Sequence, residues 1–263
     1  MKKTLTFSLF FTAIILQATH AAITDGLVAY YSFNGNANDL SGNGHDGTVS
    51  GAQLAGDRFG NLNSTYSFNG VSNFISGTFT PIVGNFTLSL WFRANSPDAL
   101  QSESSSGTFG YSQQYAIFPK QGGTDSGMGL SIGTNGVSIF EHGNAFLPAV
   151  LVHPQSFGDS WTQAVLTVSN NGAPDLFING IKVDTGLQTG RTKILSVFAN
   201  PTEGVGGGGY GHFDGLLDDI RVYDRALSDS DVSQLYSVES IPELSSSVLC
   251  GLVVFGWTLR RRR

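Results

Sequence analysis

Apolar side chains recur along this chain in short alternating or continuous runs, separated by Gly, Asn and Ser. That pattern predicts β-strands rather than helices. The runs cover Leu27–Phe33, Thr65–Phe68, Phe74–Ser76, Phe86–Phe92, Tyr115–Phe118, Met128–Ile132, Val137–Phe140, Leu147–Val152, Trp161–Val168, Asp175–Ile178, Ile181–Asp184 and Leu216–Tyr223. Asn179-Gly180 lies between two of them and predicts a two-residue hairpin turn, because both residues tolerate positive φ. One short helix is expected near the end. Ser228 and Asp231 have the spacing of a capping box, and Val232, Leu235 and Tyr236 then share one helical face. Many short strands in the 219 residues from 22 to 240 predict a single all-β sandwich or barrel domain.

The two ends follow other rules. Lys2 and Lys3 precede the apolar run from Leu5 to Leu16, and small residues follow at Thr19-His20-Ala21-Ala22. This is the arrangement of a secretory leader, with cleavage expected after Ala21; the apolar run is short for a membrane span. At the other end come Ile241-Pro242-Glu243-Leu244, an uncharged stretch from Val248 to Leu259, and then Arg260, Arg261, Arg262 and Arg263. Terminal arginines after an apolar helix keep that end cytoplasmic. The tail resembles the PEP-CTERM sorting signal, in which Pro-Glu-Pro, a membrane helix and an Arg cluster are read by exosortases of Gram-negative, exopolysaccharide-producing bacteria. Pro242 and Glu243 match, whereas Leu244 replaces the second Pro. The resemblance implies an exosortase-like processing partner and transient anchoring by a C-terminal membrane helix; a plain tail anchor is the alternative. The expected organisation is a signal helix over 1–21, a domain over 22–240 and a sorting tail over 241–263.

Composition narrows the partners. The chain is 13% charged with 34 Gly and 11% aromatic residues, a packed protein without the solvation of a disordered one. Its net charge is −6 overall, but six of the fourteen basic residues lie in the two terminal segments. Residues 22–240 hold eight basic and nineteen acidic side chains, a balance of −11. Such a surface excludes nucleic acid, whose binding needs a Lys/Arg surplus. The single Cys, Cys250, lies in the tail, so no disulfide framework is available.

The body also resembles a known family. Leu27–Phe33, the loop Asn38–Gly44, Phe68-Asn69-Gly70 before Asn73-Phe74-Ile75, Phe86–Phe92 with Trp91, Trp161–Val168, Leu176–Gly180 and Phe213–Tyr236 occur in the order of a laminin-G-like domain of the concanavalin A-like lectin/glucanase superfamily. The resemblance implies a jelly-roll of two antiparallel sheets, with the first strand near the last and the two Asp-bearing segments close together.

Candidate chemistry follows from residue placement. Strand alternation puts Leu216, Asp218, Ile220 and Val222 on one face, aligning Asp218 with core residues. A buried carboxylate there needs a cation or hydrogen bonds. The loop carrying Asp39, Ser41, Asn43 and Asp46 offers hard oxygen donors suited to Ca²⁺. Laminin-G-like domains often hold a structural calcium, and the resemblance implies one near Asp39, Asn43 and Asp218; hydrogen bonding without metal is the alternative. Trp91 and Arg93 fall opposite Phe86, Leu88, Leu90 and Phe92, so Trp91 is either a platform for a sugar ring or a residue packed under a loop. Glucanase-type carboxylate strings are absent from the sequence, and Glu141-His142 is its nearest acid/base pair. The run Gly206–Gly209 lacks the Lys-Ser/Thr of a phosphate loop and reads as a mobile surface loop. The expected function is a secreted or cell-surface, non-catalytic module that binds an extracellular glycan or a surface protein. A polysaccharide hydrolase and a purely structural matrix protein are the alternatives.

Overall fold

The computed structural model describes residues 23–107, 110–120, 124–143 and 146–242. The leader with Ala21, and the tail with Glu243 and Arg260 to Arg263, lie outside the described residues; Pro242 is the last residue within them. Eighteen strands are described: β1 (Leu27–Tyr31), β2 (Thr48–Ser50), β3 (Gln53–Ala55), β4 (Thr65–Asn69), β5 (Phe74–Ser76), β6 (Ile82–Val83), β7 (Phe86–Ala94), β8 (Tyr115–Ile117), β9 (Ser126–Gly133), β10 (Gly136–His142), β11 (Phe146–Pro154), β12 (Thr162–Val168), β13 (Asp175–Ile178), β14 (Ile181–Thr185), β15 (Lys193–Leu195), β16 (Gly207–Gly208), β17 (Gly211–His212) and β18 (Asp214–Tyr223). One helix, α1 (Asp229–Glu239), follows. Among the described residues, no helix is long and apolar enough to cross a membrane.

The strands form a jelly-roll sandwich. The larger sheet runs β14-β13-β12-β7-β18-β4-β3, with β1 also paired to β18, and the smaller runs β11-β10-β9-β15-β6, with β8 also on β9. Pairing is antiparallel except between β15 and β9. The first strand does lie beside the last. Alternate residues of the facing strands fill the space between the sheets: Leu88, Leu90 and Phe92 from β7, Leu130 and Ile132 from β9, and Val137 and Ile139 from β10 are all fully buried in one cluster. The Asn179-Gly180 turn has φ of 51° and 78°, as a tight hairpin between right-twisted strands requires.

The outer face of the larger sheet is covered by α1. Ser228 accepts from the Asp231 N–H while the Asp231 carboxylate accepts from the Ser228 N–H, the reciprocal bonds of a capping box. Val232 and Leu235 then pack with Val165, Phe177 and Tyr223 in a second apolar cluster on that face. This helix decides which outward-facing residues of the sheet meet solvent.

Candidate functional site

At the C-terminal end of α1 a cavity of about 130 Å³ opens beside the outer face of the larger sheet. Tyr30, Phe59, Asn61, Asp219 and Val238 are among its walls, and charged side chains close its base. Their placement depends on an irregularity in β18. Asp218 pairs with Trp91 and Arg221 with Ser89, so three steps on β18 match two on β7. The extra residue is a β-bulge, and Asp219 within it has φ of 44°.

The bulge corrects the expected facing of Asp218. Leu217, Ile220 and Val222 point into the main core, whereas Asp218 shares the outer face with Trp91. Simple alternation fails because one inserted residue reverses the parity of everything after it. Asp218 is nevertheless buried, since α1 and the loop bearing Arg58 roof that face.

Arg58 organises the base of the cavity. Its Nη1 donates to Asp218 Oδ2 at 2.9 Å and its Nη2 to Asp219 Oδ2 at 2.6 Å. Nε and Nη2 also donate to the Glu239 carbonyl, the last residue of α1, at 3.3 and 2.9 Å. The guanidinium lies between the rings of Phe59 and Trp91, 4.6 and 4.4 Å from their centroids, where its charge meets the negative π faces. Tyr236 also stacks on the indole, at 5.7 Å.

Glu239 supplies the second half of the network. Its carboxylate accepts from Arg221 Nε at 2.6 Å, Trp91 Nε1 at 2.7 Å and Gln163 Nε2 at 2.8 Å. Arg221 in turn lies 3.6 Å from the Tyr30 ring centroid, and the Tyr30 hydroxyl donates to Asp219 Oδ1 at 2.7 Å. Three carboxyl groups thus meet two guanidinium groups in a poorly hydrated space. Burial, then the adjacent Asp219 charge, pushes the Asp218 carboxyl up to about 9 against the pull of Arg58. Burial also raises the Glu239 carboxyl, against the pull of Arg221.

The three residues expected to bind calcium do not form one ligand set. Asp39 Oδ1 accepts from the N–H groups of Tyr30 and Ser41, and Oδ2 from the Ser41 hydroxyl and the His45 N–H. Burial raises its carboxyl, but these donors outweigh burial and hold it below the usual range. Asn43 Nδ2 donates to the Val28 carbonyl at 2.9 Å. Asp218 already holds Arg58 and the Asp219 N–H. Tyr30 stands between the two Asp sites, bonding Asp39 through its backbone and Asp219 through its phenol. Donor hydrogens therefore occupy the oxygens a cation would need, and these residues do not fit a calcium ion as arranged. Among the described residues, no group of three or more His, Cys, Asp or Glu side chains could hold a metal.

The expected stacking pair is divided as well. Trp91 faces outward as alternation predicts, but it is only 4% exposed, packed against Arg58 and Tyr236. Arg93 is separate, with its guanidinium 5.9 Å from the Trp161 ring. Glu141 and His142 point to opposite faces of β10. Glu141 accepts from Thr189 Oγ1 at 2.7 Å and pairs with Arg191 and Lys193, while His142 contacts the Pro119 carbonyl. Arg58, Tyr30, Arg221 and Glu239 carried no signal in the sequence.

Residues 69–233, more than half of the chain, match the laminin G family described as the concanavalin A-like lectin/glucanases superfamily. The chain belongs to this superfamily. As a superfamily member it has solved structural neighbours of several kinds. Domain 4 of AbnA, a GH43 extracellular arabinanase from Geobacillus stearothermophilus, solved in complex with arabinotriose, is 21% identical at a TM-score of 0.51, covering 80% of this chain and 98% of that domain. The binding domain of botulinum neurotoxin DC, solved with rat synaptotagmin II, is 15% identical at a TM-score of 0.55, covering 82% of this chain and 52% of that one. A botulinum neurotoxin type C structure, whose cell entry depends on two ganglioside molecules, is 14% identical at 0.55, covering 83% and 52%. This chain therefore spans about half the length of the toxin chains. At these identities the likeness is one of fold. No curated protein matches the chain.

Proposed function

We propose that this protein is an exported, non-catalytic binding module whose ligand is a carbohydrate or a protein of an extracellular polymer matrix. The observation that carries the reading is the state of the acidic residues at the cavity. Asp218 and Asp219 share Arg58, and Glu239 is held by Arg221, Trp91 and Gln163, so these carboxyls pin α1 to the sheet. Glycoside hydrolysis needs two carboxyl groups flanking one bond with room for substrate between them. Carboxyls engaged by arginines under a helix serve a structural purpose instead. Fold neighbours that bind arabinotriose, gangliosides or synaptotagmin add support for glycan or protein as the ligand class.

In this reading residues 1–21 are a leader removed after Ala21, 22–240 the binding domain, and 241–263 a PEP-CTERM-like sorting tail. An exosortase-like enzyme reads Pro242, Glu243 and Arg260 to Arg263, and the protein reaches the cell surface or matrix after transient anchoring. Pro242 is exposed three residues past the end of α1, where a processing enzyme has access. A glycan array combined with a reducing-sugar release assay tests the function. Binding without release is expected, and release of sugar would overturn the non-catalytic reading. Sequencing the N-terminus of exported protein should return Ala22.

A further inference from the structure

The glycine run that looked like a mobile loop is a packed hairpin. Residues 204–208 are buried, and β16 and β17 pair Gly207 with His212 and Gly208 with Gly211, leaving Gly209 and Tyr210 at the tip. A Cβ on Gly211 would sit 1.9 Å from the Gln113 carbonyl oxygen, and one on Gly208 would sit 2.9 Å from the Phe118 ring. The hairpin lies flat against residues 111–118 because its backbone carries no side chains there.

That support fixes one exposed ring. The Tyr210 carbonyl accepts from the Ser112 N–H at 2.9 Å, and its ring lies nearly parallel to the buried Phe118 at 6.4 Å. Tyr111 meets it edge-on at 5.4 Å. Both rings stay in solvent, Tyr111 at 51% and Tyr210 at 45% exposure. Polar groups border them: Glu203 accepts from the Gly209 N–H, and Gln113 donates to the Tyr111 carbonyl. Gln113 Oε1 is buried and has no partner among the described residues.

We propose that Tyr111 and Tyr210 form an aromatic ledge that binds neutral glycan chains by stacking on their sugar rings. This deepens the binding reading above and rests on it. A sugar ring presents an apolar C–H face with a hydroxyl rim, which suits a fixed tyrosine ring with polar neighbours. The balance of −11 over residues 22–240 repels uronate or sulfated chains, so the ligand is uncharged. Two rings at a hairpin tip are also too small for a stable protein interface, which buries roughly 800 Å² per partner.

The test measures affinity of the full chain for soluble neutral polysaccharides (arabinan, galactan, mannan, xylan) and for alginate and polygalacturonate as anionic probes. At least one neutral polymer is expected to bind, with Tyr210→Ala and Tyr111→Ala each weakening it roughly tenfold. Tyr210→Phe should retain most of the affinity. Thermal unfolding confirms that the variants fold, and only variants with the wild-type midpoint are compared. If wild type binds a neutral polymer and both alanine variants bind equally well, the ledge is refuted while the binding function stands. Binding of anionic polymers alone refutes the ligand class. Absence of any glycan binding, with capture of a protein instead, refutes the ledge and the carbohydrate half of the proposed function together.

Discussion

Arg58→Met removes the guanidinium at the base of the cavity while leaving an apolar stem to fill the space between Phe59 and Trp91. The Arg58 side chain is 8% exposed, and the Asp218 and Asp219 side chains it pairs with are 3% and 14% exposed, so the interaction is far from a solvated surface pair. Deleting one partner of a buried ion pair leaves the other charge without compensation, at a cost of about 3–5 kcal/mol. The cost depends on pH in a stated direction. Asp218 is raised to about 9 in the folded protein, above its unfolded value near 4. Native protein therefore holds a proton that the unfolded chain releases, and stability falls as pH rises between those values, by at most about 1.4 kcal/mol per pH unit. At pH 7 Asp218 is largely protonated, whereas above pH 9 it is charged, and there the variant loses most. Urea unfolding at pH 5, 7 and 9, followed by tryptophan fluorescence and extrapolated linearly, measures the difference. A deficit that grows with pH is expected, and Asp218→Asn placed on Arg58→Met should recover part of it at pH 9. Equal stability of Arg58→Met and wild type at pH 9, or a deficit unchanged from pH 5 to pH 9, would refute the ion-pair argument.

Glu239→Gln should lower stability by roughly 2 kcal/mol, because Arg221 loses its buried charge partner while Trp91 and Gln163 keep an acceptor; chemical denaturation reads it, and no change would mean that Arg221 finds other compensation. Ser228→Ala should cost about 1 kcal/mol through loss of the α1 N-cap, visible as a lower urea midpoint with unchanged slope. Exhaustive chelation should leave the thermal midpoint where it was, since protein donors already occupy Asp39 and Asp218; a fall in the midpoint, restored by added Ca²⁺, would show that a calcium site exists.

The strands were readable because their signal is local. Phe86, Leu88, Leu90 and Phe92 alternate inward over one strand, and Asn179-Gly180 supplies its own turn geometry, so neither needs knowledge of distant residues. The capping box of α1 is local too. The cavity is different in kind. Its geometry hangs on the bulge at Asp219, and an inserted residue leaves the hydrophobic pattern of β18 looking regular until the partner strand is known. Arg58 comes from a polar loop and reaches Asp218 across 160 positions, a pairing that periodicity cannot encode. Glu239 is equally hidden from periodicity, because its three partners arrive from β7, β12 and β18. The glycine run misled for the opposite reason: composition suggested slack chain, whereas tight packing against Gln113 and Phe118 is what demands glycine.

These two surprises divide the molecule's surfaces. On the larger sheet, outward-facing side chains able to engage a ligand, Trp91 above all, are consumed in fastening α1, and Glu239 carries both ends of that fastening through its carboxylate and its carbonyl. The last residue of α1 is thus the anchor, and Ile241 just beyond it lines the cavity. Beside β8, at the β16–β17 hairpin, the Tyr111–Tyr210 pair stays exposed, and glycine packing seats the hairpin that carries Tyr210. The same chain thus closes the outer face of its larger sheet under α1 and keeps the Tyr111–Tyr210 pair exposed, which is the arrangement the proposed binding module requires.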